Sequence, residues 1–384
     1  MAHRKTIALL AGFAVALSAF AGCSGGGETA APADSSAAPT EAVTSEAPAP
    51  VEAGGLVGIT MPTVSLERWN NDGAGLKSQL EEMGYTVDLQ YGDNKNELQI
   101  QQLENQINQG AKVLVIASID GKVLGPTLAK AKEAGAQVLA YDRLIMETTD
   151  VDYYATFDNE KVGNLQGQYI IDTAGLEGSS DKFNFEPFAG SPDDNNAGLF
   201  FGGAWDLLSP YVDSGTLVIN SETGKKAAGN WQDIGILEWK SATAQSEMEN
   251  RLNSYYTDKK VQIVLSPNDS LAVGIAQALD TAGYKVGEDW PILTGQDGDI
   301  AAVKNIVAGK QSMTVWKDTR LLAAQSAKMV DQMIKGETVD QNNDTYDNGV
   351  KVVPTFLLDP EVVTADLVQD KLVGSGFLKA EDLQ

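Results

Sequence analysis

The feature that most constrains the fold of this chain is a regular alternation of short apolar runs with longer amphipathic stretches. Short, β-branched-rich apolar runs predict buried strands, and the stretches between them carry the spacing of amphipathic helices. Strands that alternate with helices form parallel sheets covered by helices on both faces. The predicted strands cover residues 56–61, 86–91, 113–117, 138–141, 153–157, 182–188, 217–220, 261–266 and 292–295.

The alternation runs through two similar units. The first unit ends with the predicted strand 153–157, and the pattern begins again with a predicted helix over residues 160–173. Each unit is long enough to bury its own core, since domains of 100–200 residues are common. The sequence therefore predicts an α/β protein of two doubly wound parallel-sheet lobes with a cleft between them.

The N-terminus resembles an export signal. Arg4 and Lys5 precede an apolar stretch over residues 7–21, which is too short to cross a bilayer comfortably. The stretch ends in Phe-Ala-Gly-Cys, which is similar to a bacterial lipobox and implies that Cys23 is acylated. Ordinary signal cleavage near Ala21 is the alternative. Residues 24–55 are rich in Ser, Gly, Ala, Pro, Thr and Glu, which predicts a disordered tether.

Composition excludes several kinds of chemistry. The chain has 28 basic and 53 acidic residues, a net charge of −25, which disfavours nucleic acid as a partner. Cys23 is the only cysteine and His3 the only histidine, so the later chain has no disulfide, Cys or His metal site, or Ser–His–Asp triad. We expect no metal and no cofactor.

Polar residues cluster just after the predicted strands. In parallel sheets ligands bind beyond the carboxyl ends of the strands, so these residues are candidates for a binding site. The residues that follow the strands are Arg68, Trp69, Asp142, Arg143, Asp158, Asn159, Asp193, Asp194, Asn195, Asn196, Asn268, Asp269, Gln296 and Asp297.

These Arg, Asp, Asn and Gln side chains offer planar, paired hydrogen-bonding groups, which suit a polyhydroxylated ligand. Each feature also has a structural alternative. Asp142 and Arg143 could form a simple ion pair, the acidic and amide run 193–196 could be a helix N-cap, and Trp69 could be a core residue.

The same residues lie in segments that resemble one family. The segments include MPTVSLERWNNDG (61–73), AYDRLI (140–145), YYATFDNEKVG (153–163), AGSPDDNNA (189–197) and VQIVLSPNDSLAVGI (261–275). They are similar to the type I periplasmic sugar-binding proteins of ABC transporters. Further matching segments are VLVIASIDG (113–121), ATAQSEM (242–248), GQDGD (295–299), WKDTR (316–320) and DNGVKVVPTFLL (347–358).

The resemblance implies two lobes joined by three chain crossings, near residues 157–159, 296–297 and 316–317. It implies an N-terminal lobe of residues 56–157 and 298–315 and a C-terminal lobe of residues 158–297 and 316–384. It also implies sugar-ring stacking by Trp239. With Trp69 from the strand-end pattern, the predicted ligand-binding residues are Arg68, Trp69, Asp142, Arg143, Asn159, Asn195, Trp239, Asn268, Asp297 and Lys317.

The function implied is capture of a monosaccharide, an aldopyranose or aldofuranose, by an extracytoplasmic lipoprotein. A monomer held to the outer face of the cell membrane by its lipid would deliver the sugar to an ABC transporter permease. The alternative is a sugar-sensing receptor that signals through a membrane sensor or chemoreceptor. Asp193 and Asp297 could form the carboxylate pair of a glycoside hydrolase, but pairs are easy to find among so many Asp residues, and we expect no enzyme.

Overall fold

The computed structural model describes residues 54–384. The strands are β1 Gly54–Met61, β2 Tyr85–Tyr91, β3 Val113–Ile116, β4 Gln137–Tyr141, β5 Tyr153–Phe157, β6 Phe183–Pro187, β7 Leu217–Val218, β8 Ile263–Leu265, β9 Ile292–Leu293, β10 Gln296–Asp297, β11 Thr314–Trp316, β12 Thr355–Leu358 and β13 Glu361–Val363. The helices are α1 Glu67–Glu82, α2 Asn96–Asn108, α3 Gly125–Glu133, α4 Asn159–Ala174, α5 Asn195–Asp213, α6 Glu222–Lys225, α7 Ser241–Tyr255, α8 Asp269–Thr281, α9 Ile300–Val307 and α10 Thr319–Lys335. Within residues 54–384, none of these helices combines the length and hydrophobicity needed to cross a membrane.

The first lobe is built on a six-stranded sheet in the order β12-β5-β4-β3-β1-β2, with every pair parallel. Alternate residues of one strand face opposite sides. On β3, Val113 and Val115 pack into the core that includes α1 and α10, while Leu114 and Ile116 pack into the core under α3. Both faces are apolar because both are covered by helices, as expected for a parallel sheet.

The second lobe contains two smaller sheets. Strands β7, β6, β8 and β9 form a parallel sheet, and β10, β11 and β13 form a second sheet in which β13 is antiparallel to β11. Helices α4 and α5 pack closely because Gly163 and Gly203 lie at their crossing. A Cβ on Gly163 would lie 2.0 Å from the Phe200 carbonyl oxygen, and one on Gly203 would lie 2.3 Å from the Glu160 oxygen.

Three chain crossings join the lobes. The chain leaves the first lobe at Asp158, returns through Lys317 and Asp318, and leaves again through Asp359 and Pro360. The first and last crossings are adjacent, because the Asp158 amide donates to the Leu358 carbonyl at 3.0 Å. Residues 54–157 and 319–358 therefore form the first lobe, and residues 159–316 and 361–384 form the second.

The predicted lobe boundaries were wrong in the last third of the described chain. Residues 298–315 belong to the second lobe, where Val303 and Ile306 of α9 pack with Trp316 and Val363. Residues 319–358 belong to the first lobe, since α10 packs on α1 and β12 pairs with β5. The predicted crossings near residues 157–159 and 316–317 agree with those at Asp158 and Lys317. The predicted crossing at 296–297 does not exist, and the crossing at Asp359 was not predicted.

The predicted tether also ends earlier than expected. Strand β1 begins at Gly54, two residues inside the segment assigned to the tether, and Gly54 pairs with Tyr85 of β2. The predicted signal peptide, the lipidation site Cys23 and the rest of the tether lie outside the described residues.

Candidate ligand-binding cleft

A cavity lies between the lobes, at the carboxyl ends of their strands. Polar and aromatic side chains from both lobes surround it. The lining residues are Leu66, Arg68, Trp69, Asp142, Arg143, Asp194, Asn196, Phe200, Trp239, Asn268, Gln296, Asp297, Asp299 and Lys317.

Asp142 forms the centre of the first-lobe wall. It follows β4 directly and has a φ of 60°, a left-handed conformation that is uncommon for residues other than glycine. Its carbonyl accepts hydrogen bonds from Tyr154 Oη at 2.7 Å, Thr156 Oγ1 at 2.9 Å and Asn196 Nδ2 at 2.7 Å. These three donors hold the strained residue and direct its carboxylate toward Arg68 in the cavity.

Arg68 lies in the first turn of α1 and is 8% exposed. Its guanidinium donates to Asp142 Oδ1 at 2.8 Å and to both carboxylate oxygens of Asp72, at 3.2 and 3.3 Å. The guanidinium carbon lies 4.3 Å from the ring centre of Trp69, within the range of a cation–π contact. Arg68 is thus fixed on three sides by residues of its own lobe.

Arg143 and Asp194 link the two lobes. Arg143 Nε lies 2.9 Å from Asp194 Oδ2, and Asp194 Oδ2 also accepts from Trp239 Nε1 at 3.3 Å. The Arg143 contact is an ion pair by distance, but its Nε–H makes no hydrogen bond to any of residues 54–384. Trp239 has a φ of 54°, and its ring lies against Gly190, where any Cβ would collide with it.

Asn268 and Asp297 of the second lobe, together with Lys317 at a crossing, form much of the opposite wall. Asn268 is the N-cap of α8, and its Oδ1 accepts from the Leu271 amide at 3.0 Å, which leaves its NH₂ group for the cavity. Lys317 Nζ lies 2.9 Å from Asp297 Oδ1, and both side chains are buried. Asp297 has a φ of 105°, so this wall also contains a strained residue.

Several buried polar atoms at this cavity have no hydrogen-bond partner among residues 54–384. They are Trp69 Nε1, Arg143 Nε, Gln296 Oε1 and Asp297 Oδ1. Asp297 Oδ1 makes its ion pair with Lys317 without hydrogen-bond geometry. Ion pairs partly compensate Arg143 Nε and Asp297 Oδ1, whereas Trp69 Nε1 and Gln296 Oε1 have no such compensation. A buried polar atom without a hydrogen bond is costly, so a polar ligand that bonds to these atoms would be favoured in the cavity.

Opposite charges shape the electrostatics of the cavity. Burial would raise the pKa of Asp142, but the charges of Arg68, Lys317 and Arg143 hold it below its usual value. Burial opposes the charge of Arg68, yet Asp142 and other carboxylates raise its pKa well above its usual value. Burial raises the pKa of Asp194, which Arg143 only partly offsets. Within residues 54–384, no group of His, Cys, Asp or Glu side chains is arranged to hold a metal ion.

The cleft is closed. Asn196 of the second lobe donates to the Asp142 carbonyl of the first and accepts from Tyr154 Oη at 3.2 Å. At the two edges of the cleft, Glu67 Oε2 accepts from the Ile300 amide at 3.3 Å, and Asn94 Nδ2 donates to Glu238 Oε2 at 3.4 Å. Direct contacts between the lobes therefore surround the cavity on several sides.

Eight of the ten predicted ligand-binding residues line this cavity: Arg68, Trp69, Asp142, Arg143, Trp239, Asn268, Asp297 and Lys317. Asn195 does not, and its neighbour Asn196 takes that place. Asn159 is buried outside the cavity, where its Nδ2 donates to Tyr154 Oη and Thr156 Oγ1 at 3.4 Å.

Strand-end reasoning identified Asp194, Asn196 and Gln296 as polar residues near the site without selecting them as ligand-binding. Leu66, Phe200 and Asp299 were not singled out. Phe200 lies one helical turn after Asn196 on α5, a spacing that would have placed it on the same face.

Comparison with known proteins identifies the fold. A model of the periplasmic binding protein domain matches residues 57–338 of this chain. The chain belongs to the periplasmic binding protein family. The multiple sugar-binding periplasmic receptor ChvE of Rhizobium radiobacter is 48% identical over 332 residues, which cover 86% of this chain and 92% of the receptor.

Two further comparisons place the chain in the same family. The D-xylose-binding periplasmic protein of Escherichia coli (strain K12) is 37% identical over 329 residues, covering 85% of this chain and 92% of that protein. A crystal structure of an ABC transporter solute binding protein from Clostridium phytofermentans, with bound β-D-glucose, has a TM-score of 0.81 and 48% identity. It covers 86% of this chain and all of that chain. The resemblance drawn from the sequence motifs and the predicted type I fold are both confirmed.

Proposed function

We propose that this periplasmic binding protein is an extracytoplasmic lipoprotein that captures an aldose monosaccharide and delivers it to an ABC transporter permease. The names of its relatives support a sugar as ligand, since ChvE is a multiple sugar-binding receptor and the Clostridium protein holds β-D-glucose. The observation that supports the proposal most is the closed interlobe cavity, where four buried polar atoms make no hydrogen bond within residues 54–384.

The charge pattern of the cavity favours a neutral ligand. Each cation is already matched by a carboxylate: Arg68 by Asp142, Arg143 by Asp194, and Lys317 by Asp297. A phosphorylated sugar would need cations free to neutralise it, whereas hydroxyl groups can donate to carboxylates and accept from guanidinium and ammonium groups. Phosphorylated sugars should therefore be excluded.

Aromatic side chains supply the apolar part of the site. Trp69, Phe200 and Trp239 line the cavity from both lobes. A sugar ring presents C–H groups on its faces and hydroxyls at its edge, so aromatic walls and polar groups together suit a pyranose or furanose. We propose that Trp239 stacks on the ring while Arg68, Asp142, Arg143, Asn268, Asp297 and Lys317 bind its hydroxyls.

Calorimetry tests the ligand class. The purified protein, freed of ligand, is titrated with glucose, galactose, arabinose, xylose, fucose and ribose, with an amino acid and a nucleoside as controls. We expect at least one aldose to bind, and phosphorylated glucose not to bind. Binding of the amino acid or the nucleoside with no aldose bound would overturn the sugar assignment and leave the fold unaffected.

The lipid anchor is tested by substitution of Cys23. Cys23→Ala should move the protein from the membrane fraction to the soluble or secreted fraction, because the side chain that would carry the lipid is gone. Ser24→Ala is the matched control and should stay with the membrane. A Cys23→Ala protein that remains membrane-bound would contradict the lipoprotein proposal.

A further inference from the structure

Asp269 is a fully buried carboxylate beside the cavity that does not line it. It is the first residue of α8 and follows Asn268 directly. Its Oδ2 accepts from the Gly298 amide at 2.8 Å, the Asp299 amide at 3.0 Å and Thr314 Oγ1 at 3.0 Å. Its Oδ1 accepts from Gln311 Nε2 at 2.7 Å. One carboxylate thus joins α8, β11 and the turn after β10.

That turn has an unusual backbone. Asp297 and Gly298 have φ values of 105° and 84°, so two successive residues lie in the region that favours glycine. For Asp297 this conformation is strained and persists only when surrounding contacts enforce it. The amides of Gly298 and Asp299 point at Asp269, so this carboxylate supplies the enforcing contacts.

The turn presents two carboxylates to the cavity. Asp297 and Asp299 both line it, and Asp297 Oδ1 is one of the buried atoms without a hydrogen-bond partner. Without Asp269, the amides of residues 298 and 299 would lose their acceptor, and the turn could relax to an unstrained backbone. The carboxylate of Asp297 would then move away from Lys317 and from the ligand position.

We propose that Asp269 is a positioning residue of the ligand cavity, which holds the turn 297–299 so that Asp297 and Asp299 face the bound sugar. This role rests on the proposed sugar-binding function. It also makes hydroxyl selectivity depend on a residue that touches no ligand. Burial and the nearby Asp297 charge raise the pKa of Asp269 to about 7, while its hydrogen bonds to Gln311, Gly298 and Thr314 act in the opposite direction.

The test compares affinities for the best-binding aldose and for its set of monodeoxy analogues. In the wild-type protein each deoxy analogue loses affinity in proportion to the contacts of its missing hydroxyl. Asp297→Asn identifies the hydroxyl that Asp297 contacts, because the penalty for that analogue shrinks in this variant. Asp269→Ala should lower affinity for the parent sugar about 10- to 100-fold. It should also reduce the loss of affinity caused by removing the hydroxyl that Asp297 contacts.

Two further variants make the outcome decisive. Glu186→Ala removes an equally buried carboxylate of the second lobe, which accepts from Ser221, Arg251 and Tyr256 away from the cavity, and it should lower the melting temperature without changing selectivity. Thr314→Val removes one partner of Asp269 without changing side-chain shape and should alter selectivity as Asp269→Ala does, by a smaller factor. If Asp269→Ala does not fold, the measurement on Thr314→Val alone tests the proposal.

Unchanged affinity in these variants, or an equal loss for every analogue, would overturn the positioning role. If the wild-type protein binds no aldose at all, the proposed function fails instead, so the two failures are distinguishable.

Discussion

At the scale of single residues, neighbouring positions of one segment have different environments. Asn195 and Asn196 are adjacent at the start of α5, yet Asn195 is half-buried outside the cavity and Asn196 is buried against Asp142. Successive helical residues point about 100° apart, so a motif match accurate to one residue cannot select between them. The strand-end rule located the site because it needs only the position of each strand, and this is why most predicted residues meet at one cavity.

Substitution of Asn195 and of Asn196 gives a matched pair of variants. Asn196→Ala should weaken sugar binding by about 1.5–3 kcal/mol, because the Asp142 carbonyl and Tyr154 hydroxyl of the closed form would lose a partner. Asn195→Ala should change binding by less than about 0.5 kcal/mol. Calorimetry with the best-binding aldose measures both, and equal losses in the two variants would show that the site includes Asn195.

Buried carboxylates give a second prediction, which concerns pH. The pKa of Asp269 is raised from 3.8 to about 7, first by burial and then by the Asp297 charge, and burial also raises the pKa of Asp299 well above its usual value. The folded protein therefore binds extra protons between about pH 7 and pH 4. The free energy of unfolding should rise as pH falls through this window and fall as pH rises through 7.

Melting temperatures between about pH 8 and pH 5 test the pH prediction. The wild-type protein should melt at a higher temperature at pH 5, and Asp269→Asn should show a smaller rise because one of the titrating groups is gone. Below about pH 4 the trend should reverse, since the pKa of Asp340 is lowered to about 2 by its hydrogen bonds to Lys328 and Gln332. A melting temperature that falls between pH 8 and pH 5 would contradict this account.

At the scale of elements, the packing of α4 on α5 depends on glycine. A Cβ on Gly203 would lie 2.3 Å from the Glu160 carbonyl oxygen, which is part of the helix backbone and cannot move aside cheaply. Gly202, the preceding residue of α5, has no atom of residues 54–384 within 4 Å of the same position. The close crossing brings α5 near the hinge and so places Asn196 and Phe200 at the cavity.

Gly203→Ala should destabilise the protein by about 1–3 kcal/mol, because the two helices must separate to admit the methyl group. Gly202→Ala should be neutral or stabilise by up to about 1 kcal/mol, since alanine is the better helix former. Chemical denaturation monitored by circular dichroism compares the two. Equal stability of both variants would mean that the helices can separate without cost.

Most of the strands up to residue 293 could be predicted from the sequence. The predicted strand 153–157 matches β5 in full, and the other predicted strands overlap β1 to β9, because periodicity is a local property of the sequence. Lobe assignment was not predictable in the same way. Contacts between distant segments decide to which lobe α9 and β12 belong. No local sequence pattern contains that information.

At the scale of the whole molecule, closure is the expected response to sugar. The contacts of Asn196 with Asp142 and of Glu67 with Ile300 join opposite lobes, so they exist only in the closed form. A ligand that touches both lobes favours this form through its additional contacts. We expect the empty protein to populate an open form by rotation about the three crossings.

Small-angle scattering measures this response directly. The radius of gyration of the ligand-free protein should decrease when the best-binding aldose is added, and an aldose that gives no heat in calorimetry serves as the control. Sugar binding without any decrease would rule out closure as the response to ligand.

The path of the chain through the lobes has a consequence for biosynthesis. Strands β1 to β5 are made first, but β12, the partner of β5, comes from residues made after most of the second lobe. Until then β5 presents an unpaired edge, which is a hazard for aggregation. Helix α10, which covers the same sheet, is equally late. The first lobe therefore cannot be completed until most of the second has been made, and a polypeptide interrupted before residue 319 would emerge from the ribosome with two unfinished halves.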